Sequence, residues 1–113
     1  MAEEKKESKY LKHIQDLTYF YIKKRYKKHC KKNNLEFIPK DDLYPLVEKL
    51  FVDEKNKYKK YIFESLKEDF GTINEEEVNQ IFEDMQEDSE FICKRITEII
   101  DEHQIEKGYY KSK

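Results

Sequence analysis

The chain has no tryptophan and only two glycines, two prolines and two cysteines in 113 residues. With so few turn-forming residues and 42% charged side chains, it reads as mostly helix. Cys30 and Cys93 stand alone, without metal-ligand spacing, so neither a zinc site nor a disulfide framework is indicated. Reduced thiols in a cytoplasmic, intracellular compartment are the expectation. No apolar run approaches the ~20 residues of a membrane span, so no membrane partner is expected. The opening Met-Ala-Glu-Glu-Lys-Lys-Glu has neither the apolar core of a secretory signal nor the acid-poor character of a transit peptide. The length suits one domain with a modest single core.

What the chain does have is charge, unevenly placed. Residues 1–60 carry 17 Lys/Arg against 10 Asp/Glu, a balance of +7, whereas residues 61–113 carry 6 against 15, a balance of −9. No basic residue falls between Lys67 and Lys94. Such a division implies halves that face each other, or halves that face different partners.

The clearest local grammar lies in residues 69–85. Gly71 supplies a positive-φ helix stop. Asn74 is a good N-cap, and Glu77 three residues later completes a capping-box pattern. Glu75, Glu76 and Glu77 sit where the helix dipole favours acids. Val78, Ile81, Phe82 and Met85 then share one helical face. An earlier unit repeats these offsets, with Asp42 in the place of Glu77 and Leu43, Leu46, Val47 and Leu50 as the apolar row. The two units are 35 residues apart, and Ile38 and Ile73 each precede the terminal acid by four.

This repeat, with its Gly-Thr-Ile before a terminal acid, resembles a degenerate calmodulin-like EF-hand pair over residues 19–85. A calcium loop needs oxygen ligands at positions one, three, five, nine and twelve, with glycine at six. With Gly71 sixth, Leu66 stands first and Phe70 fifth, leaving only Glu68, Asn74 and Glu77 as donors. In the first unit Lys31 stands first and Glu36 replaces the glycine, so only Asn33 and Asp42 could help. The resemblance therefore implies a pair that has lost calcium: no metal, no cofactor, and a light-chain-like adaptor that holds a partner helix in an apolar cleft. It also implies a short antiparallel bridge between Ile38 and Ile73.

The expected fold class is all-α, a compact bundle of about five helices, read as two helix–loop–helix units plus a C-terminal helix. Residues 9–107 form the domain, between a charged, frayed stretch 1–8 and a short tail 108–113. Ser8 could cap a first helix running to about Lys32. Tyr10, Leu11, Ile14, Leu17, Thr18, Tyr21 and Ile22 line one side of it, while Tyr19 and Phe20 point away. Asn33-Asn34 breaks it. Asp41 or Asp42 caps the second helix, with Pro45 in the first turn. Asp53 restarts the chain into a third helix carrying Tyr58, Tyr61, Ile62, Phe63, Leu66 and Phe70. After the fourth, Asp88 or Ser89 caps a fifth with Ile92, Ile96, Ile99 and His103 on one stripe, Phe91 and Ile100 beside it, and Gly108 at its close.

The candidate partner-binding residues are Tyr19, Lys23, Lys24, Tyr26, Lys27, Lys28 and Lys31 on the second half of the first helix. There Tyr19, Ile22, Tyr26 and Cys30 are the only inward row, so this half should project past the core or meet an acidic surface. Cations interleaved with tyrosines suit phosphate contacts plus stacking. They equally complement the negative helix C-terminus. No catalytic constellation is present: His13, His29 and His103 are scattered, and His29 and Cys30 point about 100° apart on a helix. The expected function is a non-enzymatic protein–protein interaction subunit of a larger assembly, which the 16 aromatics favour. The alternative is a nucleic-acid-associated protein using the first helix, against which the net charge of −2 counts.

Overall fold

A computed structural model describes residues 9–108; the stretch 1–8 with its Ser8 cap, and residues 109–113 of the tail, lie outside the described residues. Five helices follow in order: α1 (Leu11–Lys32), α2 (Lys40–Asp53), α3 (Lys55–Phe70), α4 (Glu75–Glu87) and α5 (Ser89–Glu106). The all-α bundle is as expected. No strand occurs among the described residues. The broadest interface joins α2 to α5, and α1 lies against α2 and α3.

Residues 69–85 fold as their chemistry dictates. Gly71 ends α3 at φ 78°, its N–H donating to the Lys67 carbonyl. The Asn74 side-chain oxygen accepts the Glu77 N–H at 3.1 Å and so satisfies one orphan donor of α4. The Asn74 N–H itself donates to the Tyr10 hydroxyl at 3.0 Å. Tyr10 is buried, its ring edge-on to Phe70 at 5.2 Å, so the α3–α4 turn is fastened to the start of α1. Val78, Ile81, Phe82 and Met85 are all buried.

At the end of α1, Asn34 adopts φ 56° and closes a Schellman turn. The Leu35 N–H reaches back to the Cys30 carbonyl at 2.8 Å, and the Asn34 N–H to Lys31 at 3.3 Å. The helix break expected at Asn33-Asn34 is therefore a defined cap.

Elsewhere the structure corrects the sequence reading. In α2 the N-cap position is Pro39, whose carbonyl accepts the Asp42 and Leu43 N–H groups, so neither aspartate caps it. Pro45 then falls in the second turn. Its missing N–H leaves the Asp41 carbonyl without a helical donor, and exposure of both residues lets water serve instead. The break into α3 falls at Glu54, one residue beyond Asp53. Tyr61 is 45% exposed rather than inward.

The largest correction concerns α5. Its buried face is Cys93, Ile96, Thr97, Ile100, Asp101 and Gln104, while Phe91 and His103 face solvent and Ile92 and Ile99 are half-buried. Gln104 explains the rotation. Its amide accepts the Ile38 N–H and donates to the Ile38 carbonyl, both at 2.8 Å. The same oxygen accepts the Tyr26 hydroxyl, and the nitrogen lies 3.3 Å from Asp101 Oδ1. Both backbone groups of Ile38 are thereby engaged by a side chain, so the bridge to Ile73 does not form.

A second buried tie joins three helices. The Tyr58 hydroxyl donates to the Phe51 carbonyl at 2.6 Å and accepts from Gln86 Nε2 at 2.8 Å. Phe51 lies in the last turn of α2, where carbonyls lack helical donors. Around this tie the rings of Tyr58, Phe51 and Phe82 meet at 5.8 and 6.3 Å.

Candidate binding surface on the first helix

The second half of α1 does not project past the core. Ile22, Tyr26 and Cys30 are buried, so the lysines between them are held in fixed directions around a seated helix. Arg25 is drawn in as well. Its Nη2 lies 3.1 Å from Glu54 Oε2, and the Tyr21 hydroxyl donates to Glu54 Oε1 at 2.6 Å. This triad clamps α1 to the α2–α3 break. Burial pushes the Glu54 carboxyl up, but the two hydrogen bonds and the Arg25 charge outweigh it and hold the pKa below its ordinary value. Burial, then the bond to Glu54, pushes Tyr21 up to about 12.

The remaining cations are not absorbed by the acidic half. Among the described residues, Lys23, Lys24, Lys27, Lys28, Lys31 and Lys32 enter no ion pair. Lys31 and Lys32, in the last turn, complement the helix dipole. The other four stand too far back for that role to be sufficient.

The structure sorts the candidate residues other than Tyr19 into two depressions sharing one wall. A groove of about 630 Å³ is lined by Phe20 and Tyr21, by Lys23, Lys24, Arg25, Lys27 and Lys28, and by Tyr61 from α3. A cleft of about 460 Å³ lies between α1 and α5, with Lys23, Lys27 and Lys31 on one side and His103 and Lys107 on the other. Tyr26, Cys30, Ile100 and Gln104, all at least nine-tenths buried, also line it, together with Leu35 and Glu36. Lys23 and Lys27 belong to both.

Two candidate tyrosines take different parts from those expected. Tyr26 is only 7% exposed and its hydroxyl is held by Gln104, so it cannot offer a free stacking face. Tyr19 is half-buried against the core, with Lys23 Nζ 5.7 Å from its ring centroid. Its hydroxyl is enclosed without a hydrogen-bond partner among the described residues. The exposed aromatics lining the lysine-bordered groove are instead Phe20, at 61%, and Tyr61. Phe20's signal was present in sequence, since it points away from the main stripe of α1. Tyr61 gave none, because it sits within an aromatic run that reads as inward.

The Cys30 thiol is pushed up by burial, and Cys93 rises to about 12 for the same reason, so both are poor nucleophiles. No group of three or more His, Cys, Asp or Glu side chains suited to a metal ion occurs among the described residues. No helix of the described residues is long and apolar enough to cross a membrane. Comparison with protein-family models, curated proteins and solved structures finds no match.

Proposed function

We propose that the chain is a non-enzymatic, calcium-independent interaction module that binds an acidic protein segment through the α1/α3 groove. One observation carries the reading: Phe20 and Tyr61, from different helices, stand exposed in one groove bordered by lysines that enter no ion pair among the described residues. Aromatic surface at the centre with charge around it is the anatomy of a protein interface. The cations select an acidic partner and speed its approach, while the aromatics supply most of the binding free energy. The resemblance to a calcium-free EF-hand pair agrees with an adaptor within a larger assembly. The groove used here lies on the outer face of α1.

Nucleic acid is the second reading, favoured by the same juxtaposition, because aromatic rings beside cations also stack bases. The net charge of −2, with −9 on residues 61–113, disfavours a polyanion that continues beyond the groove. A photoreactive amino acid placed at Phe20 in the full chain separates the two readings. Cross-linking to a defined protein, lost on Lys24→Glu with Lys28→Glu, supports the module. Cross-linking to RNA or DNA alone overturns it.

A further inference from the structure

We propose that the cleft between α1 and α5 binds a small ring-bearing phosphate ester of the nucleotide class. This is a second site, distinct from the groove, and it does not depend on the protein-partner reading.

The walls select for anion. Lys23, Lys27 and Lys31 recur at four-residue steps, forming a ladder with roughly 6 Å between rungs. His103 in α5 and Lys107 at its C-cap, also four residues apart, line the other side of the cleft. Such a two-sided arrangement matches several phosphate oxygens on one molecule, each taking a charge-assisted hydrogen bond. Glu36 is the single carboxylate in the lining.

The interior selects for an apolar body. Tyr26 and Gln104 bring polar atoms there, but those are engaged with each other and with Ile38 and Asp101. What remains to greet a ligand is Leu35, 42% exposed, above a floor formed by the buried side chains of Tyr26, Cys30 and Ile100. An inorganic anion would leave that surface uncovered, and a neutral ring compound would leave the lysines uncompensated. A ring-bearing body with attached phosphates satisfies both, its edge against Leu35 and its phosphates among the lysines. The volume of about 460 Å³ falls within the range of small-molecule sites. Leu35 is held in place by the Schellman turn at Asn34, so the apolar surface is preformed.

The test is calorimetric titration of the full chain with ATP, pyrophosphate, adenosine and an alkyl monophosphate. The expected result is that ATP binds at least ~10-fold more tightly than either pyrophosphate or adenosine, because each supplies only half the complement. Lys31→Glu and Lys107→Glu, at exposed positions outside the groove, should each weaken ATP by ~10-fold or more. Phe20→Ala and Lys28→Glu, which touch only the groove, should leave ATP binding unchanged. Circular dichroism melting confirms that each variant is folded. Three outcomes overturn the proposal: no ATP binding at millimolar concentration, pyrophosphate as tight as ATP, or an alkyl phosphate tighter than ATP. Equal weakening by the groove and cleft variants does so too, since it reports only diffuse attraction to α1.

Discussion

Gln104 uses one side-chain amide to engage both the N–H and the carbonyl of Ile38, 66 residues earlier, at 2.8 Å each. A primary amide presents a donor and an acceptor as a neighbouring strand would, so the extended chain at Ile38 is paired without any strand beside it. Ile38 is 5% exposed, and water cannot replace the amide.

Gln104→Leu keeps the volume and removes both bonds. Two buried backbone groups then lack partners at ~1–3 kcal/mol each, so a loss of roughly 2–6 kcal/mol is expected in urea unfolding. A change below ~1 kcal/mol would mean that the loop is held by packing alone.

The rotation of α5 shows where sequence reading stops. Ile92, Ile96 and Ile99 suggested the buried stripe because burial usually follows apolarity. The face that packs includes Thr97, Asp101 and Gln104, whose burial rests on partners at Tyr26 and Ile38. No local pattern encodes a partner 66 or 78 residues away. By contrast, Gly71 and Asn74 were legible because a cap is settled within four residues. The lysines of α1 were legible as charge, but their division between two depressions depends on Tyr61 and Lys107, which only folding brings near.

Tyr58→Phe should cost about 1–3 kcal/mol, because it withdraws the donor from the Phe51 carbonyl and the acceptor from Gln86 while keeping the ring. Chemical denaturation of the variant measures this. A neutral result would show that Gln86, 3.5 Å from the same carbonyl, moves in to replace it.

Glu54 sets an acid dependence. Its folded-state pKa lies below the unfolded value, so its contribution is fully present above the unfolded pKa of about 4.3 and is lost as pH falls through the folded pKa. The stability difference between the native chain and Glu54→Gln should therefore shrink as pH is lowered from 6 to 3, measured by thermal melting. A difference that does not change with pH would exclude the clamp to Tyr21 and Arg25.

Asn34→Gly should be neutral or stabilising, because glycine adopts φ 56° without a Cβ clash. Asn34→Val should lose about 1–2 kcal/mol, the cost of a left-handed conformation for a branched residue. Equal melting temperatures for the two variants would show that the turn relaxes.

Partner binding should depend only mildly on salt. Docking at Phe20 and Tyr61 predicts that Lys24→Glu with Lys28→Glu slows association more than it speeds dissociation. Fold stability should change by only a few tenths of a kcal/mol per site, since both lysines are exposed. Surface plasmon resonance across 50–300 mM salt checks this. A steep linear fall of log affinity with log salt would instead count phosphate contacts.

The breadth of the α2–α5 interface has a consequence for synthesis. Helix α2 is made early, yet the surface that covers it is delivered by the last of the five described helices. On the ribosome, Leu43, Val47, Leu50 and Phe51 must wait until Cys93 through Gln104 have emerged. Until then the nascent chain holds an open apolar face that chaperones can occupy. A stop codon or proteolytic cut shortly before Ser89 would therefore not shorten a stable domain. It would strand the first four helices as a sticky intermediate, and quality control would meet this protein as all or nothing.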